Sequence, residues 1–460
     1  MKLRRKISTI AAVLLACGML TACSLGGNKG EGAQNADHGE DTIKLTAILD
    51  SSAVLTNFDS PEEALEAYEN NISTGQIQDT AQNRATKENL LLLKDFADQN
   101  KVELTSVDWG WGDTLTQKLS ASFLAKEGPD IIIGETQMPG FAKQGYLEPF
   151  PEELAQKIRQ NLNAASWKSM EYEGKLYGVA LEPSSAILVW NKNILKESGL
   201  DPEKAPETWD ELLQNMETVY KGGTYSGGGI YAGSNNGGYL RFGAFLRGAG
   251  GWFVDEKGQP DINNSANLPA FELLRKMNSF NKPGIVTASE EGTFFSAFDK
   301  GRLAYKVDGQ WAINQAKLQG LDCGYSMLPS GPGGEASGIV LGAGYQAVPV
   351  YSSNKEMAFK LIELMIDSEF QKNIADGGIR IPAQKSVASS DEYKKAQPEL
   401  YSMASTLDRN ITGLPTFSGN AAKAWAEIGT AMSKTMQTSD DIKTIADDAQ
   451  KSLLEAASEK

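Results

Sequence analysis

From Ile43 onward, apolar positions recur in two rhythms. Ile43 to Leu49, "IKLTAIL", is short, apolar and partly β-branched, which predicts a strand. Pro61 to Glu69 and Lys87 to Gln99 place apolar residues at helical spacing; in "KENLLLLKDFADQ" they gather on one face. Val102 to Trp109 alternates and predicts a strand, Asp113 to Ala125 a helix, and "GPDIIIG" a buried strand entered from a turn. Strand and helix in alternation is the α/β pattern of a mostly parallel sheet. A second set follows: strands in "KLYGVAL" and "AILVWN", a helix from Trp209 to Tyr220, helices at Pro269 to Asn281 and Thr293 to Lys300, and the strand "LAYKVDG". The C-terminal third predicts helices at Lys355 to Ile366, Ser368 to Asp376, Asp391 to Tyr401, Ala421 to Gln437 and Ile442 to Ser458. There is no internal repeat and no heptad run.

The first forty residues follow neither rhythm. MKLRRK carries four cations, and Ile7 to Leu20 is a continuous run of small and apolar residues. This describes an export signal; about 14 residues is short of the roughly 20 needed to span a membrane. Leu20-Thr21-Ala22-Cys23 resembles the lipobox of bacterial lipoproteins, which implies a signal peptide over 1–22 and a diacylglyceryl group on the Cys23 thiol. Two acyl chains hold a protein stably where one does so only marginally. Residues 23–40, rich in Gly, Asn, Ser and Ala, predict a flexible tether.

Charge and rare residues narrow the function. The chain has 44 Lys plus Arg against 59 Asp plus Glu, net −15; losing Lys2, Arg4, Arg5 and Lys6 with the signal leaves 40 against 59, net −19. Nucleic acid and anionic lipid headgroups repel such a body. About 440 residues would remain, too many for one core, and two lobes are expected. The cysteines are Cys17, Cys23 and Cys323, so no disulfide within the exported chain is expected, and Cys323 reads as a buried small hydrophobe. The one histidine, His38, lies in the tether, which excludes Ser-His-Asp and Cys-His catalysis and nearly all zinc sites. The run "GGTYSGGGIYAGSNNGG" lacks the GK[ST] ending of a phosphate loop. No metal and no cofactor is expected.

Five ordered pieces carry a family resemblance. Gly174 to Val179 ("GKLYGV"), Trp190-Asn191-Lys192, Ser198-Gly199-Leu200 and Pro206 to Leu212 ("PETWDEL") form the first. Thr208 with Glu211 three residues on also reads as a capping box. The others are "GPDIIIGETQMPGFAKQGYLEPF", "FFSAFDKGRLAYKVDGQWAI", "YSMLPSGPGG" and "GYQAVPVYSSNKEMAFKLIELMIDSEFQKNIADGGIRIP". Together they resemble the extracellular solute-binding proteins of family 1, from about Ile43 to the C-terminus. Ala180 replaces the family's usual proline, Tyr305 stands where methionine is usual, and residues 50 to 85 make an extended first loop.

The resemblance implies an α/β type II periplasmic-binding fold, with two lobes, a cleft and a hinge of crossing strands. The crossings would fall near Val179 to Ser185, Ala343 to Pro349 and Ile381 to Ser386. The N-terminal lobe would be 41–182 plus 345–384, and the C-terminal lobe 183–344 plus 385–460. It implies a monomeric, non-enzymatic receptor, extracytoplasmic and anchored to the cell membrane at Cys23. Such a receptor captures a sugar or oligosaccharide by cleft closure and hands it to the permease of an ABC importer. Two other readings are a receptor of the same fold for a polyamine, ferric ion, peptide or phosphate ester, and a secreted glycan-cleaving enzyme using two carboxylates.

A sugar needs flat aromatics for its C–H faces and carboxylates, amides or Arg for its hydroxyl edge. By resemblance Trp311 is the principal stacking residue, with Asp308 just before it bonding a hydroxyl or capping a turn. Trp109 and Trp111 alternate at a strand end, which predicts that they point to the same side, and by resemblance they lie where the first lobe meets the ligand, at least one of them in contact with it. Trp425 follows "PTFSGN", where the family supplies stacking aromatics; Asn236 and Tyr239 lie in the glycine-rich run, read as a loop of polar contacts. Glu182, Glu135 and Gln137 match acidic or polar rim positions, and Arg380 in "GGIRIP" either pairs with a carboxylate or reaches the ligand. Trp190 and Trp209 read as packing residues.

Overall fold

The described strands form four sheets, of two, four, three and two strands, and the chain passes between them more than once. The structure is a computed structural model that describes residues 42–49, 52–135, 137–232, 236–287, 291–333, 344–404, 407, 415, 417 and 419–459; the expected signal, the tether and Cys23 lie outside them. In the first half, β1 (Ile43–Ala47) pairs in parallel with β2 (Val102–Ser106), and Ala47 bridges in parallel to Ile131 just before β3 (Ile132–Gly134). A hairpin of β4 (Glu171–Tyr172) and β5 (Lys175–Leu176) turns at Glu173 and Gly174, both with positive φ, the turn type that matches strand twist. β6 (Val179–Ala180) then leads toward the four-stranded sheet.

That sheet has the order β10–β7–β9–β8, from β7 (Ala186–Asn191), β8 (Ser226–Gly229), β9 (Leu303–Gly309) and β10 (Cys323–Met327). The unbroken apolar run of β7 is buried at every position, as befits a central strand covered on both faces. The chain returns as β11 (Tyr345–Ala347), which lies antiparallel between β3 and β6. A further passage follows near residue 383, where Ala383 N–H bonds the Leu181 carbonyl (3.1 Å), so two of the connecting segments hold each other. Among the described residues no helix is long and apolar enough to cross a membrane.

Local chemistry explains the boundaries. Thr208 Oγ1 accepts from Glu211 N–H (3.2 Å) at the start of the Trp209–Lys221 helix, and the Glu211 carboxylate accepts from Glu207 N–H (2.6 Å), which holds its pKa below the usual value. The "SGL" piece closes the Lys192–Glu197 helix in a Schellman motif: Gly199 has φ +75°, its N–H bonds the Lys196 carbonyl (3.1 Å), and Leu200 N–H bonds Leu195 (2.9 Å). The helix expected over Asp391 to Tyr401 is instead two, Asp391–Ala396 and Pro398–Ala404, because a residue before proline avoids the helical region and Gln397 has φ −137°. Cys323, expected buried, is half-buried on β10, and burial pushes its thiol up to about 11.

The glycine-rich run, expected as a loop, contains β8 and leads into the Asn236–Gly248 helix. Gly228 pairs with Tyr305 in parallel at φ +86°, and a Cβ there would overlap the Tyr305 carbonyl oxygen. Gly228→Ala is expected to lower the unfolding free energy by more than about 3 kcal/mol, combining left-handed strain with a backbone clash. Urea denaturation measures it, and a cost under about 1 kcal/mol would mean that the two strands part without penalty.

Candidate functional site

The ends of the strands decide where side chains gather. Trp111 follows β2, Glu135 follows β3, Trp311 follows β9, and Gly344 precedes the antiparallel β11. These four, with Leu181 and Glu182 on the connecting segment, Gln315 and Arg380, line one cavity of about 270 Å³. Its place beyond the carboxyl ends of β2, β3 and β9 is where open α/β sheets bind ligands.

Trp311 opens the Trp311–Leu318 helix. The residue before it, Gln310, is fully buried, and its Oε1 accepts from Ser185 N–H (3.0 Å), tying the tryptophan to the connecting segment. A Cβ on Gly309 would overlap three carbons of the Trp311 benzo ring at nearly equal distances, which puts it over the ring rather than at its edge. The Gly309 backbone therefore backs one face of the indole. The Arg380 guanidinium carbon lies 4.9 Å over the same ring system.

Glu182 has a partner of its own. Its Oε1 accepts from both Ser52 N–H (2.8 Å) and Ser52 Oγ–H (2.7 Å), while the Ser52 carbonyl accepts from Gln82 Nε2 (3.1 Å). The extended first loop is thus pinned to the connecting segment at the cavity wall. Behind Arg380, Tyr393 OH donates to the Arg380 carbonyl (3.2 Å). Burial, with the Glu182 charge adding, pushes the Tyr393 phenol well above its usual value, and burial likewise pushes Tyr345 up to about 12.

Five of the expected residues, Trp111, Glu135, Glu182, Trp311 and Arg380, meet at this cavity. Trp109 and Trp111 do not share a side. β2 stops at Ser106, the Asp108 carboxylate accepts from Gly110 N–H (2.7 Å), and Gly110 at φ +75° turns the chain. Trp111 is 43% exposed in the cavity wall while Trp109 packs on the core. Asp308 is buried away from the cavity, paired with Arg241 (3.3 Å) and Lys306 (3.1 Å). Trp425 is a core residue, edge-on to Phe253 and Phe417. Gln137 turns back to accept from Glu135 N–H (3.3 Å). Asn236 and Tyr239 stand in the first turns of a helix, and their side chains lie outside the described residues. Trp190 is buried with its Nε1 on the Pro202 carbonyl (2.9 Å), and Trp209 packs edge-on against Phe245.

Sequence reasoning missed Gln315, Leu181 and Gly344. Gln315 had a usable signal: four residues after Trp311 it shares that residue's helical face, once "WAINQAKL" is read as a helix. Among the described residues no cluster of His, Cys, Asp and Glu could hold a metal ion.

Residues 92–400 match the family described as bacterial extracellular solute-binding protein. The chain belongs to the bacterial extracellular solute-binding proteins. Among curated relatives of this solute-binding protein, the maltotriose-binding protein of Pyrococcus abyssi is 26% identical over 300 residues, covering 62% of this chain and 61% of that one. The galactooligosaccharide-binding protein of Bacillus subtilis is 24% identical over 284 residues, 59% and 64% of the two chains. The match thus spans under two thirds of either relative. The solved structure of a cyclic α-maltosyl-1,6-maltose binding protein from Arthrobacter globiformis superposes with a TM-score of 0.70 at 18% identity, covering 90% of this chain and 98% of that one. The fold is the type II periplasmic-binding fold.

Proposed function

We propose that this chain is an extracytoplasmic receptor that captures a sugar or short oligosaccharide in the cavity and hands it, chemically unchanged, to an ABC importer. The observation that carries the reading is the meeting of Trp111 and Trp311 with Glu135, Glu182, Gln315 and Arg380 around about 270 Å³. Indoles suit the C–H faces of a pyranose, carboxylates accept from its hydroxyls, and the guanidinium donates to them. The volume sits just below the usual range of roughly 300–1,000 Å³ for small-molecule sites, so it suits one or two rings.

In this reading residues 41–182 with 345–384 form one lobe, and 183–344 with 385–460 the other. The lobes close about the connecting segments onto the ligand. A lipid on Cys23 holds the receptor, as a monomer, at the cell membrane. The names of its curated relatives, a maltotriose binder and a galactooligosaccharide binder, support a saccharide ligand.

A thermal-shift screen over neutral saccharides, uronides and polyamines tests this. Ligand at about a hundred times its Kd adds about 2.7 kcal/mol of stability, which is visible as a raised Tm. A rise with a saccharide, and the same saccharide recovered intact afterwards, is the expected outcome. A rise with spermidine alone would move the assignment to polyamines, whose ammonium groups Glu135, Glu182 and the two indoles can hold. Recovery of cleaved glycan would make the protein an enzyme.

A further inference from the structure

Arg380 reaches the cavity with its donors unspent. Its Nε is buried without a hydrogen-bond partner, and among the described residues its side chain makes no hydrogen bond and no ion pair. Neither Glu135 nor Glu182 pairs with it, although both line the same cavity; Glu182 is held by Ser52. Its one side-chain contact of note is the Trp311 ring at 4.9 Å. A buried Nε without a partner also occurs at Arg247, but other guanidinium groups of the chain spend their remaining donors on oxygen: Arg247 Nη1 on the Gly251 carbonyl (3.4 Å), Arg241 on Asp308 (3.3 Å), and Arg275 on the carbonyls of Thr435 (3.1 Å) and Asp440 (2.7 Å).

A desolvated guanidinium donor without an acceptor is costly, and Arg380, unlike Arg247, lines the cavity, where a ligand can complete it. The group presents its donors as a planar fork, which a carboxylate fills with two parallel bonds while a hydroxyl fills one. Stacking on Trp311 holds the fork in place, and the Tyr393 hydroxyl holds the Arg380 main chain (3.2 Å). The protein's overall acidity repels anions at long range, so selection of an anion must come from a local, fixed cation of this kind.

We propose that Arg380 is the specificity-determining residue of the cavity and that it selects a saccharide bearing a carboxylate, a hexuronate unit. This rests on the sugar-receptor reading and narrows it. The ligand's carboxylate meets the guanidinium fork, its ring lies against the indoles, and its hydroxyls reach Glu135 and Gln315.

Calorimetry on the full chain, with hexuronate dimers set against neutral hexose dimers of the same linkage, tests the proposal. At least one uronide is expected to bind tenfold or more tightly than its neutral counterpart. Arg380→Gln should weaken that uronide about a hundredfold and neutral sugars at least tenfold less than that; Arg380→Lys should recover only part, since a point charge lacks the fork. The wild-type comparison needs no variant, so a poorly folding Arg380→Gln leaves the test intact. Neutral dimers binding as tightly as uronides would overturn the proposal and leave the sugar receptor standing. So would an Arg380→Gln chain that binds neutral sugar more tightly, for the guanidinium would then be an occupant that ligand displaces from Trp311. Failure of every saccharide to bind would overturn both readings.

Discussion

Asp308→Ala is expected to lower the unfolding free energy by about 3–5 kcal/mol, the cost of removing one partner from a buried ion pair. The carboxylate is 2% exposed and lies between Arg241 Nη2 (3.3 Å, 7% exposed) and Lys306 Nζ (3.1 Å, 4% exposed). Both cations also rest on Phe295, at 5.1 and 5.2 Å, and Lys306 on Phe298 at 4.8 Å. Those aromatic contacts offset part of their desolvation, at about 2 kcal/mol or less each, and do not neutralise charge. Lys306 and Asp308 are two apart on β9, so the strand's alternation places both on one face, and Gly309 N–H also bonds the carboxylate (2.9 Å). A surface pair supplies the contrast. Lys44 and Glu103 are 3.6 Å apart but 81% and 55% exposed, and Glu103→Gln should change stability by less than about 0.5 kcal/mol. Urea unfolding of the two variants measures the difference. Equal, small effects would show that Arg241 and Lys306 regain solvation once Asp308 is gone.

Asp308 also shows what a sequence reveals about a site and what it hides. The strand "LAYKVDG" is legible, and so is the tryptophan two residues past its end. Which polar residue faces the cavity and which faces a buried cation is decided by Arg241, sixty-seven residues away in sequence and in a helix that the glycine-rich composition concealed. The same composition hid β8, since glycine has low strand propensity and is used there only because the Tyr305 carbonyl leaves no room for a Cβ. Helices with strong periodicity and polar caps, such as Ala421–Gln437 behind Asn420 and Ile442–Ser458 behind Asp441, were legible to the residue. Short β11 has no pattern of its own in three residues, and only the likeness of motifs placed a crossing strand near Ala343 to Pro349; its partners lie in distant segments.

The cavity follows the same logic. Trp111, Glu135, Trp311 and Arg380 stand at or just beyond element ends, where side chains are free of the sheet's own packing, and a likeness of motifs places such ends well. Trp425 sits in a helix interior, where its surroundings are set by Phe253 and Phe417. Trp109 and Trp111 differ because of one glycine: the left-handed Gly110 turns a strand-like alternation into two directions.

Trp311→Ala should weaken saccharide binding by about 1.5–3 kcal/mol, roughly ten- to 150-fold, while leaving the fold intact. An aromatic face contributes about 0.5–1.5 kcal/mol beyond the apolar area it buries, and the area term adds to that. The ring is only half-buried, and it rests on the Gly309 backbone on one side, so its loss opens the cavity floor rather than the core. Trp190 separates the two kinds of tryptophan. It is 3% exposed, packed against Gly324 and bonded to Pro202, far from any role in the cavity lining. Trp190→Ala should therefore cost about 3–5 kcal/mol of stability and leave the affinity of whatever remains folded unchanged. Calorimetric titration and urea unfolding of both variants give a two-by-two comparison. If Trp311→Ala binds as the wild type does, the ligand stacks elsewhere, and Trp111, 43% exposed in the lining of the same cavity, is the next candidate. If both variants lose stability alike with affinity intact, neither indole touches the ligand and the aromatic basis of the sugar reading is gone.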